Sequence, residues 1–409
     1  MADVRPLRAL RYDLDRVGPA ERLIAPPYDV IDPEARARLA QNPYNVVHLI
    51  LPEGPDPYTA AGRMLAAWIR DGVLVRDPEA AFYAYEQRFA LPDGRPRRRL
   101  GFFARVRLEP WESGLIRPHE HIFPGPLTDR LRLLRATDTM LEAPFVLYED
   151  PDCALEPFLE EALQRPVLRA CLDGVEHRLG RITEPAVLAR FRAAMAERTL
   201  YMADGHHRYE SLLAYWRERA PDRGDAQAFG LLYLSNAADP AFAILPTHRG
   251  LSRLGRELSW RKALPPDLWE PMAGAEALGQ RLEREPTGLG VLEPDGSAYY
   301  VGPASALGRA ISEVPEPLNR LPVVVLHELL LRRVLGLSPE QEARYVRYYK
   351  QADAVLEALR QGELELGFWL PPLSFADVRR VADAGLRLPQ KATFFYPKIP
   401  SGLLFCPLE

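Results

Sequence analysis

Lysine is almost missing from this 409-residue chain: only Lys262, Lys350, Lys391 and Lys398 stand beside 48 arginines. The 40 prolines point the same way, to a compositional bias of heat-adapted type, since loop prolines restrict the unfolded chain. Cysteine is also scarce. Cys153, Cys171 and Cys406 form no CxxC pair, and an odd count excludes a full disulfide framework and implies reduced thiols. No run of about 18 apolar residues occurs, which excludes a transmembrane helix. The first residues lack the apolar segment of a signal peptide, so the expected location is cytoplasmic. Walker A, GxGxxG, GxSxG and HExxH patterns are all absent. A net charge of −4 and the lack of a helix-turn-helix segment argue against nucleic acid as a partner.

What is present is enough apolar residue (47%) for real cores, with 26% charged residues on an ordinary globular pattern. The length predicts two or three domains, and we place an N-terminal α/β domain at 1–150 and a C-terminal one at 151–409, with shared sites. Strand-like and helix-like segments interleave without regular βαβ spacing. This predicts mixed α/β sheets rather than a Rossmann fold or a TIM barrel. Residues 24–52 read as extended and proline-punctuated, and 57–70 as a helix. Ala81–Leu91 and Leu100–Leu108 read as a hairpin about Pro92-Asp93-Gly94, with Arg95–Arg99 as its solvated arm. Thr128 is placed as the cap of a helix over Asp129–Thr137. Thr199–Ala203 reads as a strand running into a loop and then a helix over Tyr209–Arg219. Trp68, Trp216, Trp260 and Trp369 read as core, and His327 as a helix-face histidine.

Chemistry concentrates in four segments. In Asp204-Gly205-His206-His207-Arg208 a glycine allows close backbone approach, and free N–H groups at a helix start make an anion site. Arg208 suits bidentate phosphate binding, His206 or His207 can donate or move a proton, and Asp204 can accept one. The bland alternative is an Asp cap followed by incidental polar residues. Pro118-His119-Glu120-His121 places His119 and His121 on one face of an extended segment, either as metal ligands or as surface histidines. Thr247-His248-Arg249 ends a strand with hydroxyl, imidazole and guanidinium in succession. The segment from Pro389 to Lys398 holds two of the four lysines among aromatic residues, where an ammonium needs an anion, either a ligand phosphate or a protein carboxylate.

Several motifs recur together: Ala25-Pro26-Pro27-Tyr28-Asp29, Asn42-Pro43-Tyr44-Asn45, Pro118-His119-Glu120, Asp129-Arg130-Leu131, Asp204–Glu210, Pro246-Thr247-His248-Arg249 and Pro389–Lys398. In this order they resemble the bacterial and archaeal family called domain of unknown function 1015, over nearly the whole chain. Asp204–Arg208 alone is similar to the helix-start motif of ParB/sulfiredoxin-like proteins, which include free serine kinases. That resemblance implies a small-molecule phosphotransferase, with a free serine kinase as the specific case, using ATP or ADP with Mg2+. Gly205, His207, Arg208, Lys391, Arg130, His248 and Arg249 would then bind nucleotide phosphates. Asp204, His206, Glu120 and His119 would serve catalysis, and Tyr28 and Asp29 would hold substrate. Two other readings stand beside it: a non-catalytic nucleotide-binding regulator, and a metal-dependent hydrolase built on His119, His121, Asp204 and His206. The sequence carries no signal for the metal ligands of a kinase or for the oligomeric state.

Overall fold

In the computed structural model, residues 2–122, 124–223, 228–239, 242–254 and 260–408 are described. The chain forms two compact units. The first takes Met1–Pro118, Ile122–Phe242 and Pro397–Glu409; the second takes His119–His121 and Ala243–Tyr396.

A nine-stranded mixed sheet organises the first unit. Its strands are Val4–Arg5 (β1), Phe82–Ala90 (β2), Pro96–Arg107 (β3), Ile116–Arg117 (β4), Phe145–Tyr148 (β5), Leu168–Leu172 (β6), Val175–Ile182 (β7), Leu200–Asp204 (β8) and Phe229–Asn236 (β9). They run in the order β4-β8-β5-β9-β3-β2-β7-β6, with β1 beside β3. β9 is buried along its whole length, as a central strand of apolar and aromatic residues should be. The helix Pro185–Ala196 sets Phe191 against Phe82 and Phe102, at ring centroid distances of 5.3 and 4.9 Å. A second core joins Leu23, Val46, Leu65, Trp68 and Leu133 to Phe405, so the last residues of the chain complete the first unit.

The second unit has a six-stranded sheet. It includes His248–Ser252 (β10), Val346–Tyr349 (β11) and Leu364–Trp369 (β12), with β10 lying between the other two. Leu278 and Leu282 pack there with Val355, Leu359 and Trp369. The mixed α/β class predicted from the sequence is thus what the chain adopts. No helix among the described residues is long and apolar enough to cross a membrane.

Three local expectations need correction. Residues 24–52 are not uniformly extended: Asp32 caps a helix over Pro33–Leu39, accepting from the Ala35 N–H at 2.7 Å, and Val47–Ile50 forms a further turn. Proline blocks helix interiors but suits a first helical position, which is where Pro33 stands. The helix assigned to Asp129–Thr137 begins at Pro124 for the same reason, so Thr128 lies inside it rather than capping it. The hairpin turn is as expected, with Gly94 at φ +80°, but Arg99 does not belong to a solvated arm. It sits on β3 fully buried, whereas Arg95 is exposed and pairs with Asp93.

Candidate functional site

β8 carries the first carboxylate of the candidate site. Met202 pairs with Val146 and Asp204 with Phe145, so Ala203 is skipped and the strand bulges just before its end. Bulges re-aim side chains, and this one delivers Asp204 at the end of the strand with a quarter of its side chain exposed. Gly205 follows at φ +89°, a left-handed conformation that glycine adopts without Cβ strain. The helix His206–Arg223 (α1) starts immediately, its first bond running from the Tyr209 N–H to the Gly205 carbonyl. Its start is anchored. The Tyr209 hydroxyl donates to the Glu109 carbonyl and accepts from the Glu109 N–H, each at 2.9 Å, and Ser211 donates to the His207 carbonyl.

Two cations converge on Asp204. Lys398 Nζ lies 2.7 Å from Asp204 Oδ1 and 3.0 Å from Asp29 Oδ2, and Arg208 pairs with Asp204 Oδ2 across one helical turn. Arg208 also donates to the Ala143 carbonyl at 3.0 Å, which fixes its plane. Burial by itself would raise the Asp204 carboxyl, but Lys398 and Arg208 outweigh it and hold the group well below the usual carboxylate range. Reciprocally, burial would lower the Lys398 ammonium, yet Asp204 and Asp29 raise it. His207 is half-buried, and burial lowers its imidazole despite nearby Asp29, so it is neutral at pH 7. His206 is buried at the helix start.

Tyr28 and Asp29 close the near side. The Arg130 guanidinium lies 4.0 Å from the Tyr28 ring centroid, and burial pushes the phenol up to about 12. Glu142, itself buried, accepts from Ser401 Oγ at 2.7 Å and from the Tyr28 N–H at 3.4 Å, and pairs with Arg130 at 3.4 Å. Of the residues singled out from sequence, Asp204, Gly205, His206, His207, Arg208, Tyr28, Asp29 and Arg130 therefore share the first unit. Sequence reading missed Lys398 and Glu142 as members. The rarity of lysine flagged the segment but favoured Lys391 instead.

The remaining candidates belong to the second unit. Arg249 is fully buried on β10 and donates to the carbonyls of Thr247, Gln390 and Lys391, the latter two at 3.0 Å. Burial lowers its guanidinium to about 10. Lys391 is held at φ +53° with its ammonium 4.7 Å from the Tyr348 ring centroid. His119 is buried, with Nε2 3.0 Å from Thr393 Oγ1, and Glu120 bridges Leu388, while His121 is exposed. Among the described residues no group of three or more His, Cys, Asp or Glu is arranged to hold a metal ion.

His248 gives a direct pH test. Its Nδ1 accepts from the Leu370 N–H at 3.2 Å, which requires the neutral ring, and burial lowers it to about 4. A histidine depressed in the fold supplies stability above its unfolded value near 6.5 and loses it as pH falls toward 4. The loss is about 3 kcal/mol over that window. His248→Gln should flatten the pH 6.5 to 4 decline in urea-unfolding free energy by roughly that amount. An unchanged decline would show that His248 is protonated in the fold.

Residues 4–322 match the model of a family described as protein of unknown function (DUF1015). No curated protein matches the chain in sequence. Solved structures with a related course include a conserved hypothetical protein from Pyrococcus furiosus, 11% identical, with a TM-score of 0.34, covering 74% of this chain and 93% of that one. A free serine kinase in complex with AMP is 12% identical, with a TM-score of 0.37, covering 74% and 92%. SbnI from Staphylococcus aureus, with a C-terminal truncation, is 13% identical at a TM-score of 0.38, covering 75% and 87%.

Proposed function

Because this chain belongs to the DUF1015 family, whose description names no chemistry, we propose an activity from the Asp204 cluster itself: a small-molecule phosphotransferase using ATP or ADP. A hydroxylated amino acid such as free serine is the acceptor we favour. The observation that carries the reading is the convergence of Lys398 and Arg208 on Asp204 at the N-terminus of an eighteen-residue helix. Phosphoryl transfer asks chiefly for positioned positive charge around the spreading charge of the transferred group. The helix start after Gly205, with its positive dipole end, and the two cations meet that need.

In this reading the acceptor hydroxyl oxygen attacks the terminal phosphorus, the bond to the bridging oxygen breaks, and ADP or AMP leaves. The hydroxyl proton goes to a neutral base, and His207 qualifies because burial keeps its ring unprotonated. Asp204, already bound by two cations, is a weak base and serves instead to hold them. Tyr28 and Asp29 face the acceptor. Magnesium takes one or two carboxylates together with nucleotide phosphates; Asp29 and Asp204 are the carboxylates at hand, and the ion would have to displace Lys398 from them. When bound it would neutralise phosphate charge.

Incubation of hydroxylated amino acids with ATP or ADP, read by product mass and by released ADP or AMP, is expected to show a phosphorylated acceptor. Calorimetry should show ADP binding that weakens with salt. Binding without turnover on any acceptor would favour a nucleotide-binding regulator, and absence of both would sink the nucleotide reading.

A further inference from the structure

Lys398 is held from beneath as well as from in front. Its carbonyl accepts from Gln87 Nε2 at 3.0 Å, and the preceding Pro397 carbonyl accepts from Arg99 at 2.5 Å. Arg99 also donates to Gln87 Oε1, so the two side chains form one clamp on consecutive carbonyls. Both are fully buried in the first unit's sheet, on β2 and β3. Arg99 is braced further by the Phe145 ring, its guanidinium carbon 4.7 Å from the centroid. Phe145 is the register partner of Asp204. One rigid sheet patch therefore sets both the anionic and the cationic end of the Asp204–Lys398 pair. Next to it, Ser401 exchanges backbone hydrogen bonds with Ala25, four residues before Asp29. Main-chain clamping by groups that cannot reach solvent contributes little that apolar side chains could not, and burying a guanidinium is costly. Fixing an ammonium to within a fraction of an ångström is what such a clamp achieves.

We propose that Gln87 and Arg99 are positioning residues that place the Lys398 ammonium between Asp29 and Asp204, and so set the phosphate-binding geometry of the site. The phosphate part rests on the phosphotransferase reading; the placement of Lys398 does not.

The scarcity of lysine makes the test clean. The full-length protein is treated with limiting acetic anhydride, and the acetylation rates of its lysines are read by mass spectrometry, with exposed Lys262 as internal reference. An ammonium held by two carboxylates should react at least about tenfold more slowly than Lys262. Gln87→Met and Arg99→Lys should each raise the Lys398 rate about threefold or more without altering Lys262, in the direction of Asp29→Asn, which removes a direct partner. Gln87→Asn, which shortens the amide by one carbon, replaces Gln87→Met if circular dichroism shows the latter unfolded. Unchanged Lys398 rates in the folded variants would overturn the proposal.

ADP titration adds a readout that a merely structural role would not move. Gln87→Met should weaken ADP binding, yet in the Lys398→Met background it should change affinity by no more than about twofold. Additive losses would show that the clamp acts on the fold and not through Lys398. If the wild type binds no ADP, the phosphotransferase reading fails, and the acetylation rates alone decide the role of the clamp.

Discussion

Asp204→Asn is expected to lower turnover about 100-fold while leaving ADP binding as tight as in the wild type, or tighter. The carboxylate holds Lys398 at 2.7 Å and Arg208 beside it, so it opposes an incoming phosphate electrostatically while fixing the two groups that would receive it. Asparagine keeps the shape and removes the charge. Both cations are then free to follow the phosphate, which preserves affinity, but neither is held where the transition-state charge develops. Loss of one such preorganised contact typically costs about 100-fold in kcat. A drop in kcat with KM unchanged or lowered is the expected pattern. A parallel loss of ADP affinity would instead make Asp204 a ligand-binding or purely structural group.

The same substitution has a pH signature. The Asp204 carboxyl is depressed in the fold, because Lys398 and Arg208 outweigh the opposing effect of burial. Its contribution to stability is therefore complete above the unfolded value near 4 and is lost as pH falls below it. Removing one partner of this partly buried pair is expected to cost about 2 kcal/mol at pH 7. Urea unfolding of wild type and Asp204→Asn should show that gap at neutral pH and a steadily smaller one below pH 4. A gap that persists undiminished into acid would assign the loss to packing rather than charge.

Much of this cluster could be read locally. The Asp204–Arg208 segment announces itself because strand end, left-handed glycine and helix start follow within a few residues, and each has its own residue preference. Tyr28 and Asp29 came in through the family resemblance; the prolines beside them speak only to backbone shape. Lys398 was not legible, although its segment stood out. Nothing near it in sequence says which of two tail lysines finds a carboxylate, and its partner Asp204 lies 194 positions away. Arg99 was misread for a related reason. In a run of arginines beside a turn, solvation is the default for each, and Arg99 is buried because it stands where β3 becomes covered on both faces, from Arg99 to Ala104. The mixed α/β class was legible because it depends on the succession of periodicities rather than on any one pairing. The interruption of the first unit by residues 243–396, with the chain returning at Pro397, had no compositional marker.

Gly205→Ala should lower both stability and ADP affinity. Two terms act together, and a second glycine separates them. At φ +89° an L-residue carries a backbone penalty of about 1–2 kcal/mol. An added Cβ would also stand 2.8 Å from Arg208 Nε and 2.9 Å from its Nη2, closer than carbon and nitrogen tolerate. A flexible side chain elsewhere would swing aside, but this guanidinium is pinned by the Ala143 carbonyl and by Asp204. Moving it forfeits those bonds, and keeping it displaces the helix start. Gly94, at φ +80° in the hairpin turn, has no atom within 4 Å of its added Cβ. Gly94→Ala therefore measures the backbone penalty by itself. The expected result is a loss of about 1–2 kcal/mol for Gly94→Ala with nucleotide binding intact. For Gly205→Ala we expect about 3 kcal/mol, with ADP affinity lowered by about 100-fold as Arg208 leaves its place. Equal stability losses in the two variants, with ADP affinity unaffected in both, would mean that Arg208 has room to move and that its position is not what binds phosphate.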